Sequence, residues 1–355
     1  MKRQIISFII LLLLSVSISG QRRILKIPDL DGYVSLKCDL HMHTVFSDGN
    51  VWPTYRVYEA YRDGLDAIAI SDHLEYVPKR EFIPIDFNAA WKIAESSASE
   101  ANIMLIHSAE ITRDMPPGHL NALFITDGSL LKRDSVYDAI EAAVKQGAFI
   151  QWNHPGWKAQ EKDGIPKLYP LHRRLLQNGW IHGIEFFNEF EYYPKVLDWC
   201  IQYKLAVTGN SDVHGIISET YPRPKEISRP MTIVFAKERT QAGLKEALFA
   251  GRTLVWANDI IGGKEEYVKP FFYKCISVGK PYYENNRNTY IEIANKSDIP
   301  FTLVNGPVGA PETLKLEPNS ITRVVLGKKV AFPLIYDVKN VLTRENSVLR
   351  VEIKY

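Results

Sequence analysis

Between residue 33 and about residue 260 the sequence alternates short apolar runs with segments of helical spacing, and nothing else constrains the fold as much. YVSLKCDL is β-rich, and PTYRVYEAYRDG follows with Pro53 near its start and Gly64 at its end, as expected of a helix. LDAIAISDH and IMLIHSAEIT are nearly continuous apolar runs, the pattern of strands buried on both faces, with the helical FNAAWKIAESSASEAN between them. HLNALFIT reads as a strand after a Pro116-Pro117-Gly118 turn, and DSVYDAIEAAVKQG as a helix capped by aspartate and stopped by glycine. AFIQWNHPGW, LYPLHRRLLQNG, IHGIEFFNE, YPKVLDWCIQYK and LAVTGNSDVHG continue the alternation, which TIVFA, TQAGLKEALFAG and RTLVWA bring to a close near residue 257. Repeated strand–helix units imply a parallel sheet, and roughly seven of them favour closure into a barrel over a small doubly wound sheet.

The pattern changes after Gly262-Gly263. Residues 264–355 show little helical period and carry short β-type segments, YIEIANKS, FTLVN, ITRVVL and SVLRVEIKY, separated by Asn, Pro and Gly. They read as a small antiparallel β-sandwich, behind a barrel domain spanning 21–263. This second part contains no histidine.

The first twenty residues, MKRQIISFIILLLLSVSISG, put two positive charges before an apolar run and small residues after it. This is the layout of a secretory signal peptide, and the run is short against the roughly 20 residues of a membrane span. An uncleaved anchor is the alternative. The expected location is therefore outside the cytoplasm, periplasmic or secreted, with no membrane contact beyond the leader. Lys and Arg number 43 against 41 Asp and Glu, a net charge of +2. Such a balance gives no electrostatic footprint for a nucleic-acid partner. Three cysteines, Cys38, Cys200 and Cys275, are too few for a disulfide framework.

The chemistry gathers at strand ends. All nine histidines lie between residues 41 and 214. His41 and His43 follow the first strand, Asp72 and His73 end the second, and Glu110 ends the third. His154 follows a later strand, and Asp212 and His214 another. Functional side chains of parallel barrels collect at the carboxyl ends of strands, so these residues are expected on one rim. His119 precedes its strand, but a chain that folds back at Pro116-Pro117-Gly118 brings it to the same rim. In His41-Met42-His43 the two imidazoles, two residues apart on an extended chain, project to one side, with Met42 into the wall. Alone this motif is equally an ordinary strand end. Six histidines and three carboxylates at matching positions read instead as a metal centre, with Zn, Mn or Fe as the ions that suit imidazole and carboxylate together. His107, His172 and His182 are expected to be core residues.

DLHMHTVFSDG, ISDH, AEI, GH, NHPG and NSDVHG, in that order, resemble the motifs of the polymerase and histidinol phosphatase (PHP) family over residues 33–260. The resemblance implies an α/β fold, a distorted (β/α)7 TIM-like barrel, with up to three metals and hydrolysis of phosphate esters. It further implies that His41, His43, Glu110 and Asp212 hold one ion and that Glu110 bridges to a second bound by His119 and His154. Asp48, His73 and His214 would hold a third. TRDMPPGH, FNEF, EALFAGRT and the C-terminal β domain are also similar to exported bacterial members that act on organophosphate diesters.

On this reading the protein is a metal-dependent phosphoesterase for a small phosphate ester, most readily a diester, and a water held between two or three divalent metal ions is the nucleophile. Glu110 and Asp212 carry catalytic as well as ligand roles. Arg113, on the rim loop, either pairs with a phosphate oxygen or is a plain surface arginine. Asp39, Asp72, Asn153 and Asn210 are candidates to orient ligands, with strand-end capping as the alternative for the two asparagines. Trp157 and Phe187 are candidates to wall a pocket for an organic ester group, and Trp152 for core packing. The competing readings are a phosphomonoesterase or nucleotidase, and a non-enzymatic metal barrel whose β domain docks a glycan or a partner.

Overall fold

A computed structural model describes residues 21–222 and 229–355. The expected leader, residues 1–20, lies outside the described residues, and no described helix is long and apolar enough to cross a membrane. Strands β1 (Val34–Asp39), β2 (Ala67–Ile70) and β3 (Met104–Ile111) are parallel neighbours. The chain then folds back. β4 (Leu120–Leu123) runs antiparallel to β3, with Glu110 opposite Asn121, and β5 (Phe149–Trp152) runs antiparallel to β4. β6 (Gly183–Asn188) is parallel to β5, carries the two-residue hairpin partner β7 (Glu191–Tyr192), and pairs in parallel with β8 (Ala206–Asn210).

These seven main strands close on themselves at the rim. Past β1 and β8 the chain continues as a parallel bridge between Met42 and Val213, with Asp212 N donating to His41 O at 2.9 Å and His43 N to Val213 O at 3.1 Å. Below that seam, β9 (Met231–Ala236) runs antiparallel to β1, and β10 (Thr253–Ala257) antiparallel to β9. The last two strands thus depart from the parallel order that the strand–helix alternation implies, because they fill the gap between β1 and β8 rather than extend the barrel. Gly209 shows how close that contact is: a Cβ there would lie 2.3 Å from Val255 Cγ1.

Helices α1 (Pro53–Asp63), α2 (Ala89–Glu100), α3 (Val136–Lys145), α4 (Pro170–Gln177), α5 (Lys195–Gln202), α6 (Ile217–Thr220) and α7 (Gln241–Phe249) form the connections. α1 has proline in its first turn and ends at Gly64, whose φ of 80° is the left-handed value glycine tolerates. α3 is capped by Ser135, which accepts from Asp138 N, rather than by the aspartate before it. β2 is apolar and buried throughout, whereas β3 sets His107, Ser108 and Glu110, and β6 sets Glu185, among buried apolar residues.

β11 (Ile260–Gly263) pairs with β10 and leads into α8 (Glu265–Cys275), a helix the sequence pattern did not suggest because Pro270 interrupts it. Beyond it lies the expected sandwich. One sheet contains β12 (Ile276–Val278), β13 (Tyr283–Glu284), β14 (Asn288–Asn295) and, later in the chain, β17. The other contains β15 (Phe301–Val304) and β16 (Leu314–Leu316) with β18 and β19. β17 spans Ser320–Gly327, β18 Leu334–Arg344 and β19 Ser347–Ile353. Ile291, Ile293, Val324 and Leu326 face Leu303, Tyr336, Val338 and Val351 across a shared core. β11 and β18 are paired, so barrel and sandwich join through hydrogen-bonded strands.

Candidate metal centre

The rim seam sets the geometry of the site. Because His41, Met42 and His43 pair with Ser211–Val213, the two imidazoles of the HMH motif meet the Asp212 carboxylate directly: Oδ1 lies 3.1 Å from His41 Nε2 and 2.9 Å from His43 Nε2. Met42 points into the core, fully buried. Arg56 of α1 fastens the seam from outside. Its guanidinium donates to the carbonyls of His43, Val213 and Gly215 at 2.8–2.9 Å while pairing with buried Glu59 at 2.7 Å.

Glu110 occupies the centre. Its Oε2 lies 3.4 Å from both His41 Nε2 and His43 Nε2 and 2.9 Å from His73 Nδ1. Its Oε1 lies 2.9 Å from His119 Nδ1 and 3.9 Å from His154 Nε2. His119 reaches it because β4 runs back along β3. Asp48, from the loop after β1, approaches His214 Nε2 at 3.2 Å and His73 Nε2 at 3.5 Å. All nine candidate ligands therefore converge.

Their donor atoms fall into four overlapping sets, each spanning no more than 4.8 Å: His41, His43 and Asp212; His41, Glu110 and His154; His73, Glu110 and His119; and His43, Asp48, His73 and His214. The first corresponds to an ion site the family resemblance implies but without Glu110, and the last to another with His43 added. The middle two divide His119 and His154 between different partners, although their rings are only 4.9 Å apart. Two of these residues have positive φ, His154 at 26° and Asp212 at 49°, a conformation uncommon for non-glycine residues and clustered at functional sites.

The residues fit divalent cations on a direct observation. His41 Nε2, His43 Nδ1, His119 Nδ1 and Glu110 Oε2 are all buried without a hydrogen-bond partner, and all lie on the cluster. Orphaned polar atoms of this kind are costly unless something else contacts them. The charge states agree in part, since against the effect of burial the neighbouring carboxylates raise His41 and His214 as well as His73. Burial, with His73 and His214 alongside, pushes His43 down to about 3, and burial likewise takes His154 down to about 3. Burial opposes ionisation of Glu110 and Asp212, but the surrounding histidines outweigh it and hold both carboxyls well below their usual range. His73 goes the other way, raised to about 10 against the effect of burial by Glu110 and Asp48. Ionised carboxylates and neutral imidazoles are the ligating forms. A nitrogen and oxygen donor set of this composition suits divalent metal ions.

The supporting shell differs in part from expectation. Asn153 donates to Glu110 Oε1 at 3.0 Å, and Asn210 donates to Glu185 while its carbonyl takes Leu40 N. Asp39 turns away from the imidazoles and pairs with Arg229 at 2.6 Å, taking Ser211 N as well. Asp72 fixes the loop carrying Asp48, accepting from Thr44 N, Thr44 Oγ1 and Ser47 Oγ. Arg113 lies 3.1 Å from Glu75 and donates to the Arg133 carbonyl, contacts that turn its guanidinium toward those groups. Glu185, buried on β6 beside His41, was missed, although a lone carboxylate in the apolar run GIEFFN was a readable signal.

The other histidines pack. His107 stacks on Trp91 and His172 on Trp152, while His182 meets Phe249 edge to face. Phe187 is buried, as is Trp152, so neither walls an open pocket. Trp157 is 41% exposed and lies 5.2 Å from His154 and 5.7 Å from His119; Tyr76, 54% exposed, lies 6.0 Å from His73. These two rings flank the cluster on its open side.

Comparison with known proteins adds a relative. A two-domain protein from Bacteroides vulgatus, containing a predicted PHP-like metal-dependent phosphoesterase, is 39% identical with a TM-score of 0.91, over 95% of this chain and 100% of the other. A proposed metal-dependent phosphoesterase from Bifidobacterium adolescentis is 20% identical with a TM-score of 0.39, over 50% of this chain and 87% of the other. A lesion-specific endonuclease from Pyrococcus furiosus is 14% identical with a TM-score of 0.39, over 65% and 59%. An Ig-like domain model matches residues 276–354. No curated protein sequence matches the chain.

Proposed function

The chain belongs to the PHP-like metal-dependent phosphoesterases, and from that premise we propose that it is an exported phosphodiesterase holding two or three divalent ions. The observation that carries this reading is the division of Glu110. One oxygen faces His41, His43 and His73, the other His119 and His154, as a carboxylate shared between ions would. When bound, such ions supply a water of lowered pKa and offset negative charge on the phosphoryl group.

The chain's own residues do the rest. Glu110 and Asp212, both held ionised, face the Nε2 atoms of His41 and His43 at 2.9–3.4 Å. Asp72 holds the loop that presents Asp48. No cysteine serves as nucleophile: all three are buried, and burial pushes the thiols of Cys200 and Cys275 up to about 12. Tyr76 and Trp157 support an organic ester, since exposed aromatic faces beside the ions can cover apolar groups on the phosphate. The leader composition supports export.

Hydrolysis of bis(p-nitrophenyl) phosphate beside p-nitrophenyl phosphate, with Mn or Zn added, tests the reading. Faster turnover of the diester supports it, and preference for the monoester overturns the diesterase assignment. N-terminal sequencing of the mature protein tests export: a start near residue 21 is expected, and an intact Met1 in the cytoplasm contradicts it.

A further inference from the structure

Glu185 is fully buried and accepts from five donors. Its Oε1 faces His41 Nδ1 at 3.0 Å, Gln151 Nε2 at 3.2 Å and Asn210 Nδ2 at 2.9 Å. Its Oε2 takes His154 N at 2.7 Å and Asn188 Nδ2 at 2.9 Å. The same Asn188 amide lies 3.2 Å from Asp212 Oδ2. One carboxylate thus touches His41 directly, the backbone of His154, and Asp212 through an amide. The β6–β8 register shifts between Glu185 and Phe187, so the strand is irregular where it presents this side chain.

We propose that Glu185 is a positioning residue that fixes the tautomer and orientation of His41 and thereby sets the affinity for the ion on the His41–His154–Asp212 side of the cluster. A carboxylate beside Nδ1 keeps the proton on that nitrogen, which leaves the lone pair on Nε2. Nε2 is the atom that faces Glu110 and Asp212 at 3.4 and 3.1 Å without a hydrogen-bond partner. A lone pair opposite two carboxylate oxygens is repulsive unless a cation lies among them, so Glu185 makes this corner depend on an ion. The positive φ of His154 is held by the 2.7 Å bond from its own N–H to Glu185. Asp48, His73 and His214 lie on the other side and make no hydrogen bond or ion pair with Glu185.

The inference rests on the reading that the cluster holds divalent ions. Zinc titration of the purified protein and of Glu185→Gln, in competition with a fluorescent chelator, tests it. An amide nitrogen cannot accept, so one set of donors is left facing an N–H. One zinc site is expected to weaken about 10- to 100-fold, with the remaining zinc affinity unchanged. A folded Glu185→Gln protein that binds zinc as the wild type does overturns the inference and leaves the phosphoesterase reading standing. A wild type that binds no zinc, manganese or iron overturns both. If the variant fails to fold, nitrogen chemical shifts of His41 in zinc-loaded wild type decide the matter, the resonance being identified by its loss in His41→Gln. A protonated Nδ1 is expected, and a protonated Nε2 overturns the assignment.

Discussion

His43 Nε2 lies 2.9 Å from Asp212 Oδ1, so a single contact joins the strand end that opens the barrel to the strand end that closes it. The backbone of the same two segments forms the seam, through Asp212 N to His41 O and His43 N to Val213 O. Ion binding and barrel closure are therefore coupled. An ion that binds only the folded state stabilises it by about 2.7 kcal/mol at a hundredfold excess over its dissociation constant. Stripping metal with a chelator should lower the melting temperature by several degrees, on the order of 2–4 °C per kcal/mol for chains of this size class. Zinc or manganese should restore it. Calorimetry with and without chelator checks this, and identical melting curves would refute the coupling.

Beneath the rim, Asp39 and Arg229 form a buried ion pair at 2.6 Å, with exposures of 0% and 3%. Arg229→Met leaves Asp39 charged and unpaired, a change that costs about 3–5 kcal/mol. Asp39→Asn combined with Arg229→Met should cost much less, because no buried charge is then stranded. Urea denaturation of both proteins measures the difference.

His182 gives a signed pH dependence away from the ions. Its Nδ1 accepts from Ile150 N at 2.9 Å, so the ring must be neutral, and burial pushes it down to about 4. The unfolded ring titrates near 6.5. Between pH 6.5 and 4 the unfolded chain takes up a proton that the folded chain refuses, so stability falls as pH falls through that window, by up to about 3 kcal/mol. Below pH 4 this loss stops growing. In chelator-treated protein, His182→Gln should flatten the melting temperature across that window relative to wild type. An equal slope in both proteins would contradict the assignment.

Trp157 stands beside His154 and His119 with 41% of its surface exposed. Trp157→Ala should raise KM for aryl diesters roughly threefold to tenfold, in line with aromatic contacts of about 0.5–1.5 kcal/mol, while changing kcat little. Steady-state kinetics on an aryl and a methyl diester separates the two parameters. A loss confined to kcat would place Trp157 with the ligands instead.

The convergence of these side chains was legible because all but Asp48 lie at or just beyond a strand end, and strand ends are visible in the apolar runs. His119 became legible once Pro116-Pro117-Gly118 was read as a reversal. Glu185 sits inside a strand, where its role depends on which residues face it across the barrel, and that is long-range information. Arg113 shows the converse. It lies near Glu110 in the chain, but its guanidinium pairs with Glu75, from the loop after the preceding strand, in no pattern that spacing reveals. The antiparallel direction of β9 and β10 was hidden for a related reason: an apolar run buried on both faces reads the same in either direction.

The central claim is that Glu110 joins the ions of one cluster, and counting bound metal tests it most directly. Mass spectrometry should find two or three equivalents of transition metal per wild-type chain. Folded Glu110→Gln should retain at least one fewer, with hydrolysis of bis(p-nitrophenyl) phosphate reduced at least about a hundredfold. The same metal content in both proteins, with hydrolysis intact, would contradict the account.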